Sequence, residues 1–374
     1  MKKIAVVACN SHLMERLRLA GEALSQDGNE VQIFCGDFNH TRKEYDTSEV
    51  DIEYIHTQSY KKNLSISRLL SHKNFAKSIL RKLREYKADY VYAQVPPNSL
   101  VKQCARYKKE SGCKLVFDLI DMWPESMPVG RVKKIIAWLF LRYWKNLRNK
   151  SLRHADLLIT ECDLYQSILA RQRVKLPKAQ TIYLCKKPFD SMPCAELSDT
   201  QVDVCYLGAI NNIIDIPKII GLLSAINLRK KVAVHIIGDG ENRQAFIEQL
   251  ESSGIQTIYY GAIYDETKKL ELFSKCHFGL NIMRDSVTVG LTIKSLDYFS
   301  AGLPVLSNIK EDTHNLVEKY NCGINISNDF EHCAQIISEL NVDDYLKLRE
   351  NTLKMFEQNF ALEVISTKLN ELLT

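Results

Sequence analysis

Residues 290–304 read Gly290-Leu-Thr-Ile-Lys-Ser-Leu-Asp-Tyr-Phe-Ser-Ala-Gly-Leu-Pro304 and follow an apolar run that predicts a buried strand. Thr292 can cap a helix here, because its hydroxyl can accept a hydrogen bond from a first-turn amide. Gly302 and Pro304 mark the end of the helix, since glycine tolerates the left-handed closing conformation and proline cannot continue a helix. The segment therefore predicts a buried strand, a loop and a short helix.

Two charged residues on this helix suggest a binding site. Lys294 and Asp297 lie three residues apart, so they share one helix face. The free amides and the dipole at a helix N-terminus can hold an anion, and Lys294 adds a positive charge. Asp297 could accept hydrogen bonds from two adjacent hydroxyls, as on a ribose. The pattern suits a nucleoside diphosphate, although an ordinary helix with a surface Lys–Asp pair has the same spacing.

The same segment resembles the donor-binding element of GT-B glycosyltransferases, especially the bacterial polysaccharide enzymes of glycosyltransferase family 4. The matching residues are Lys294, Asp297-Tyr298, Gly302 and Pro304-Val305. These enzymes usually carry a second Glu eight positions before the first carboxylate. Val289 stands there in this chain, and Asp285 is the candidate substitute. The resemblance implies an α/β fold of two doubly wound, Rossmann-like domains facing a cleft, with the nucleotide-sugar on the C-terminal domain.

Composition supports a globular protein with two domains. The chain has 374 residues, of which 45% are hydrophobic and 25% charged, enough for two α/β cores. A net charge of +5 is too mild to predict nucleic-acid binding but is compatible with anionic substrates. The 11 cysteines show no C-x-x-C spacing, which favours reduced thiols in a cytoplasmic protein over disulfides or zinc. No apolar run approaches the length of a transmembrane helix.

The N-terminal half alternates strands and helices, which predicts a parallel sheet. Strands are predicted at residues 3–9, 31–35, 89–95, 113–121, 155–160 and 181–185. The turn after the first strand lacks G-x-G-x-x-G, which argues against NAD or FAD. His12 in this turn is a candidate acceptor-side residue, with an ordinary loop histidine as the alternative.

The segment Asp121-Met-Trp-Pro-Glu-Ser126 follows a predicted strand, where ligands of open α/β sheets bind. It also resembles the family 4 polysaccharide enzymes, in which this region lines the acceptor and the reaction centre. Those enzymes commonly have a His-Asp pair here, but Ile120 replaces the histidine. Asp121 and Glu125 are therefore the acceptor-side candidates, and Asp121 is also a catalytic candidate together with Lys294. A carboxylate that caps the next helix is the structural alternative.

The C-terminal half supplies further donor-binding candidates. Gly208 lets a loop backbone approach a ligand, and the amides that follow it can meet phosphate oxygens. GT-B enzymes often place a basic residue in this loop, but Asn211 and Asn212 stand here, so Arg284 would share the diphosphate charge with Lys294. The remaining candidates are Gly238 in a glycine turn, Ala262 and Ile263 around the nucleobase by resemblance, and Thr292, Asp285 and Asp297 from the segments above.

Residues 130–150 mix basic and aromatic side chains. Between residues 126 and 155 there are 8 Lys or Arg and no acidic residue. Such a helix can lie on an anionic membrane surface, although a helix buried against the sheet could have the same pattern. The sequence therefore suggests a cytoplasmic protein with peripheral contact at the inner face of the cell membrane.

The composition shift at residues 186–201 predicts a linker. It separates an N-terminal acceptor-binding domain (1–185) from a C-terminal nucleotide-sugar domain (202–345). Residues 346–374 are expected to form helices, the last of which crosses back to the N-terminal domain in GT-B folds.

The resemblance implies transfer of a sugar from a nucleoside diphosphate, UDP by preference, to a glycan or lipid-linked acceptor in bacterial surface polysaccharide synthesis. Capsule, O-antigen and exopolysaccharide assembly are examples. The family retains anomeric configuration and needs no metal, and the chain contains no Asp-x-Asp triplet to hold one. No cofactor is expected. A UDP-sugar 2-epimerase-like enzyme and a non-catalytic GT-B partner subunit are the alternatives.

Overall fold

The computed structural model describes residues 1–40, 42–62, 65–127, 138–189 and 194–374, with only the backbone of residues 12 and 27. The chain divides into two compact units. One contains Met1–Leu184 together with Ile365–Thr374, and the other contains Cys185–Val364. Residues 186–189 and 194–201, from the segment predicted as a linker, group with the second unit.

The first unit is built on a sheet of seven parallel strands in the order β5-β2-β1-β6-β7-β8-β9. These strands are Lys3–Ala8 (β1), Glu30–Gly36 (β2), Ile52–Ile55 (β5), Tyr90–Val95 (β6), Lys114–Leu119 (β7), Leu157–Thr160 (β8) and Lys178–Thr181 (β9). Phe38–Asn39 (β3) and Glu44–Tyr45 (β4) form a small antiparallel pair. The helices are Met14–Ser25 (α1), Ile66–Tyr86 (α2), Asn98–Ser111 (α3), Trp138–Leu152 (α4) and Asp163–Arg171 (α5).

The second unit has six parallel strands in the order β12-β11-β10-β13-β14-β15. They are Gln201–Leu207 (β10), Lys231–Ile237 (β11), Gln256–Gly261 (β12), Phe278–Asn281 (β13), Val305–Ser307 (β14) and Gly323–Asn325 (β15). The helices that follow them are Ile216–Asn227 (α6), Arg243–Ser252 (α7), Glu266–Phe273 (α8), Ile293–Ser300 (α9), Asp312–Tyr320 (α10), Phe330–Glu339 (α11) and Val342–Asn359 (α12). A last helix, Leu362–Leu373 (α13), begins in this unit and ends in the first.

Strand order fixes where a ligand would bind in each unit. Both sheets run outward from their first strand in two directions, which is the doubly wound Rossmann order. The order reverses beside β1 in the first unit and between β10 and β13 in the second. Ligands of such sheets bind at the carboxyl ends of the strands on either side of this reversal. The fold class predicted from sequence is confirmed.

One predicted strand is wrong. The strand covers Lys178–Thr181, so residues 182–185 of the predicted segment lie beyond its end. The apolar residues Ile182 and Leu184 are buried, which explains the prediction, but they lie beyond the end of the neighbouring strand β8 at Thr160. They therefore pack as extended chain with no strand beside them to continue the ladder.

Candidate active site

The loops after β10 and β13 meet at the point where the strand order of the second unit reverses. Ile214 and Met283 form an antiparallel bridge between the two loops. The amide of Arg284 donates to the Ile213 carbonyl at 2.9 Å, and its side-chain Nε donates to the Ile214 carbonyl at 3.2 Å. The two loops therefore form one backbone surface at the expected ligand position, with the exposed Arg284 fixed on it.

The helix that follows this surface begins as the sequence predicts. The Thr292 hydroxyl caps it by accepting from the Ser295 amide at 3.2 Å. Asn281, fully buried at the end of β13, donates to the Thr292 and Ser295 hydroxyls at 2.9 and 2.7 Å. The amides of Ile293 and Lys294, the first two residues of the helix, have no hydrogen-bond acceptor within the helix. They can therefore hold an anion.

Lys294 is positioned by an aromatic ring. Its ammonium lies over the ring of Tyr206, 5.0 Å from the centroid, and Tyr206 is itself fully buried. The Tyr206 hydroxyl donates to the Ala209 carbonyl at 2.9 Å, so the same side chain touches both the lysine and the loop after β10. Tyr206 was not identified from the sequence, where it reads as one more apolar residue of a strand.

Lys294 is a cation with no anionic partner in the part of the chain that the structure describes. Among the described residues it has no carboxylate within ion-pair distance, and burial lowers the pKa of its ammonium to about 8. Desolvation of an unpaired charge is costly, and a bound anion would offset that cost. Perturbed ionisation in a ligand-binding position is typical of functional groups.

Asp297 has a different environment from the one its spacing suggests. It is only 8% exposed, and Lys186 and Lys269 each bind one of its carboxylate oxygens, the latter at 3.4 Å. Glu266 lies between the same two lysines and completes a cluster of alternating charges. Each carboxylate oxygen has two lone pairs, so Asp297 could still accept from a ribose hydroxyl. The ribose role stays a prediction.

The two glycine turns play unequal parts. Gly208 has φ +110, which only glycine adopts readily, and a Cβ there would meet nothing within 4 Å. Gly238 instead packs directly on the Gly208 backbone, so that a Cβ at Gly238 would clash with the Gly208 carbonyl. Gly208 therefore faces open space, as a ligand-contacting residue would, whereas Gly238 supports it from behind.

The side chains of the two loop asparagines already make hydrogen bonds within the protein. The Asn211 side chain accepts from the Ile213 amide at 3.1 Å, and the Asn212 amide group donates to Glu241 at 2.6 Å. Both contacts hold the shape of the loop after Gly208. The backbone amides of this loop are accordingly the better candidates for contact with phosphate.

Asp285 and the end of β12 lie at the surface. Asp285, the candidate substitute for the missing glutamate at Val289, has Lys218 at 3.8 Å and Lys310 at 3.9 Å. Long ion pairs of a carboxylate as exposed as that of Asp285 are weak, so this carboxylate is available to a ligand. Ala262 is exposed and Ile263 half-buried directly after β12. Their nucleobase role stays a prediction.

On the first unit, Asp121 lies just past the end of β7. Its carboxylate accepts from the Trp123 indole at 2.6 Å and from the Ser126 hydroxyl. Burial raises the pKa of Asp121, and these hydrogen bonds oppose the shift without cancelling it. Asp121 is thus an oriented carboxylate of raised basicity. His12 lies in a short 3-10 helix after β1, and its side chain is outside the described part of the chain.

Glu125 is engaged in a bidentate ion pair. Arg148, fully buried on α4, donates to its two oxygens at 2.9 and 3.1 Å, and Gln172 donates to one of them at 2.6 Å. Burial raises the pKa of Glu125, but the charge and hydrogen bonds of Arg148, together with the hydrogen bond from Gln172, lower it overall. Glu125 also lines a cleft of about 590 Å³ with Trp138 and Arg142. Its ion pair indicates a structural role, and its acceptor role stays a prediction.

No metal site is apparent in the part of the chain that the structure describes. Within it, no three His, Cys, Asp or Glu side chains gather in a way that could hold an ion. Metal independence stays a prediction. No described helix combines the length and apolarity that crossing a membrane requires.

Comparisons with known proteins agree with this architecture. Residues 16–184 match the sequence profile of Glycosyltransferase Family 4. Similar solved structures include sucrose-phosphate synthase from Thermosynechococcus elongatus, with TM-score 0.71, 13% identity and coverage of 100% of this chain and 98% of that one. Anabaena Alr3699/HepE in complex with UDP-glucose matches with TM-score 0.67 and 15% identity, over 100% of this chain and 99% of that one. The lipopolysaccharide outer core galactosyltransferase WaaB matches with TM-score 0.68 and 14% identity, over 99% of this chain and 98% of that one. No curated protein sequence matches the chain at a significant level.

The two doubly wound units and the structural matches give the chain the GT-B fold of these glycosyltransferases, and the profile match agrees with it. More particularly, residues 16–184 resemble Glycosyltransferase Family 4 in sequence. The resemblance inferred from the segment around Lys294 is confirmed.

Proposed function

We propose that the protein transfers a sugar from a nucleoside diphosphate, UDP by preference, to a hydroxyl of a glycan or lipid-linked acceptor. The observation that carries this proposal is Lys294, a desolvated ammonium without a carboxylate partner among the described residues, beside free helix amides at the carboxyl edge of the sheet. That arrangement suits a diphosphate. Solved relatives of the same fold are complexes with UDP and with UDP-glucose, which supports UDP as the donor nucleotide.

In the proposed reaction the bond between the sugar C1 and the diphosphate oxygen breaks, and its electron pair stays on the phosphate. Lys294, Arg284 and the amides of the loop and helix would balance this developing charge, and electrostatic stabilisation of this kind often contributes most to catalysis. The acceptor oxygen would bond to C1 on the same face, which retains configuration, and its proton would pass to the departing phosphate. Asp121 would orient the acceptor hydroxyl.

The proposal includes no metal cofactor. The chain contains no Asp-x-Asp triplet, and the positive charge of Lys294 and Arg284 could take over the role of a divalent ion on the diphosphate. Turnover should therefore persist in EDTA. Loss of activity in EDTA that Mg²⁺ restores would contradict this part of the proposal.

A membrane-bound acceptor is suggested by helix α4. Its first turn and a half exposes Trp138 (52%), Leu139 (73%) and Tyr143 (61%) among basic residues such as Arg142. Exposed apolar side chains beside lysine and arginine suit the surface of an anionic bilayer. Residues 130–137 of the predicted interfacial segment lie outside the described residues. We place the protein at the inner face of a bacterial membrane, in the assembly of a surface polysaccharide such as capsule, O-antigen or exopolysaccharide.

Vesicle binding tests this placement. The wild type should co-sediment with vesicles of phosphatidylglycerol and not with vesicles of phosphatidylcholine. The double variant Leu139→Ser, Tyr143→Ser should lose about tenfold in affinity for the vesicles. It lacks two apolar side chains that would otherwise insert partly into the bilayer. Leu228→Ser, Leu346→Ser is the matched control on exposed apolar residues elsewhere. Equal losses in both variants would contradict a specific surface on α4.

The transferase proposal is tested by release of the nucleotide. The protein is incubated with UDP-glucose, UDP-galactose, UDP-N-acetylglucosamine, GDP-mannose and dTDP-rhamnose, with and without acceptor sugars. Acceptor-dependent UDP release, lost in Lys294→Ala and kept in the exposed control Lys268→Ala, is the expected result. Isomerisation of a UDP-sugar without acceptor would indicate the 2-epimerase alternative instead.

Val289 favours the third candidate, a non-catalytic partner subunit. It is an apolar, half-buried residue where the family usually has a glutamate. A subunit of this kind would bind UDP but release none from any donor in the panel, alone or with any acceptor.

A further inference from the structure

A cavity on the first unit has no assigned role. Its volume is about 560 Å³, and it lies where β2 and β5 end. Phe38 and Lys43 line it from the chain after β2, and Ser59, Tyr60, Lys61 and Lys62 line it from the chain after β5. Because the sheet is parallel, this is the edge at which its ligands are expected. We call it the lysine pocket.

The lysine pocket is strongly positive. Three lysines line it, and no aspartate or glutamate is among the residues that line it within the described chain. Lys61 and Lys62 are exposed and make no ion pair with another described residue. The Lys43 ammonium lies 4.8 Å from the centroid of the Tyr60 ring, and burial together with the nearby Arg68 charge lowers its pKa. Positive groups are thus held close together, an arrangement that a bound anion would stabilise.

The pocket wall is fixed by aromatic packing. Tyr60 is 6% exposed and packs edge-on against Phe38 and His72, with ring centroids at 5.0 and 5.9 Å. The Arg68 guanidinium lies 5.5 Å from the Tyr60 ring centroid. Lys43 therefore lies against a pre-formed aromatic wall, with Lys61 and Lys62 at the same pocket.

The same wall connects to the acceptor-side carboxylate. Arg68 also lies over Trp123, 4.3 Å from the ring centroid, and the Trp123 indole donates to Asp121 at 2.6 Å. A continuous stack, Tyr60–Arg68–Trp123, thus runs from the lysine pocket to Asp121. A molecule bound by Asp121 could extend a charged group toward the lysines.

We propose that the lysine pocket binds an anionic group of the acceptor: a phosphate, sulfate or carboxylate. The proposal deepens the proposed function and rests on it for the identity of the ligand as an acceptor, but the pocket's affinity for an anionic sugar can be measured without any donor. The shared chemistry has two sources, an acidic or phosphorylated sugar and the diphosphate of a lipid carrier.

Saturation-transfer NMR on the full chain tests the proposal, with four probes: glucose, glucuronate, glucose 6-phosphate and geranyl diphosphate. Saturating UDP is added so that the diphosphate probe cannot bind the donor site. We expect at least one anionic probe to bind about tenfold or more tighter than glucose, because charge-assisted hydrogen bonds are the strong ones. Binding of glucuronate or glucose 6-phosphate would indicate an acidic sugar, and binding of geranyl diphosphate alone a lipid carrier.

The matched variants locate the binding. Lys43→Gln, Lys61→Gln, Lys62→Gln removes the charges of the pocket, and Lys73→Gln, Lys77→Gln, Lys102→Gln removes three exposed lysines of the same unit. The first triple variant should lose roughly tenfold in affinity for the anionic probe, and the second should not. Single charge reversal, Lys62→Glu, should act in the same direction if the triple variant is poorly folded.

Two results overturn the inference: equal binding of charged and neutral probes, or equal losses in the two triple variants. Thermal stabilisation by UDP, measured on the same samples, separates this failure from that of the proposed function. If UDP binds but the anionic probes bind no tighter than glucose, only the proposal for the lysine pocket is contradicted. If an anionic probe binds tighter than glucose but UDP does not bind, the pocket for an anionic sugar stands and the transferase proposal is contradicted.

Discussion

At the scale of single residues, the ionisation of Lys294 links its burial to its proposed task. Its ordinary pKa of 10.5 falls to about 8 because the ammonium is desolvated without a carboxylate in reach among the described residues. The unfolded chain therefore binds the proton more tightly than the folded one, so the cost of this burial is present below about pH 8 and disappears as the pH rises toward 10.5. A bound diphosphate would reverse the shift by favouring the charged form.

UDP affinity should consequently depend on pH. It should stay level just below pH 8 and weaken above it, by up to about tenfold per pH unit, because the free protein loses the charge that UDP requires. Titration calorimetry in two buffers of different ionisation enthalpy should show proton uptake on binding near pH 8.5. In Lys294→Arg the guanidinium stays charged, so its affinity should be flat over this range. Parallel pH profiles for the two proteins would rule out Lys294 as the titrating group.

A second residue pair concerns stability rather than binding. Arg16, 2% exposed, donates to both oxygens of the fully buried Asp118 at 2.6 and 2.7 Å, and Tyr92 donates to the same carboxylate. Arg16→Met leaves a buried carboxylate without its cation and should cost about 3–5 kcal/mol in the free energy of unfolding. Arg16→Met, Asp118→Leu should recover part of that loss. Urea denaturation followed by fluorescence measures both, and a double variant no more stable than the single one would contradict an ion-pair origin.

This pair also shows where sequence reasoning stops. Arg16 is one charged residue within an amphipathic helix, and its partner is 102 positions away, so no local spacing connects them. Lys294 could be found because Thr292 and Gly302, which mark the ends of its helix, are close to it in the sequence. Tyr206 and Asn281 could not, because a side chain that orients another across two strands leaves only an ordinary strand pattern.

At the scale of elements, Tyr298 helps to hold helix α9 to the sheet. Tyr298 is fully buried, its hydroxyl accepts from the Leu207 amide at 2.8 Å, and it can donate to the Cys205 carbonyl at 3.1 Å. Its ring lies against Gly279 on β13. Helix α9 and the two strands beside the reversal of strand order are therefore one packed unit, which fixes the direction of the helix N-terminus.

Gly279→Ala should disturb this packing. The added Cβ would lie 2.6 Å from ring atoms of Tyr298, so the ring or the helix must shift, at a cost of about 1–3 kcal/mol of stability. UDP affinity should fall with it, because the anion-binding amides move. Gly21→Ala is the control, since its Cβ would meet its nearest atom only at 3.7 Å in a helix. Unchanged melting temperature and affinity in Gly279→Ala would contradict the tight packing.

Sequence patterns located most of these elements. The hydroxyl cap at Thr292 and the closing Gly302, with φ +60, fall where local chemistry requires them. The strand predicted at Thr181–Cys185 failed because burial alternates in extended chain as it does in a strand, and only a partner strand separates the two. Asp297 also looked free because its partner Lys186 comes from a segment 111 residues away.

At the scale of the whole molecule, we assign the two units separate tasks. The donor nucleotide is assigned to the unit Cys185–Val364, and the acceptor to the unit that contains Asp121 and the lysine pocket. Hydrogen exchange with and without UDP tests this division. We expect slower exchange in peptides covering 208–215 and 284–297, and no change across the pocket residues 59–62. Protection confined to the first unit would contradict the assignment.

The most direct test of the central claim is UDP binding to the wild type and to Lys294→Ala, measured by calorimetry at pH 7.5, with Lys268→Ala as the control. We expect wild type and control to bind UDP alike, and Lys294→Ala to lose at least about tenfold in affinity, the value of one charge-assisted contact to phosphate. Equal affinity in all three proteins, or no UDP binding by the wild type, would contradict a diphosphate site at Lys294.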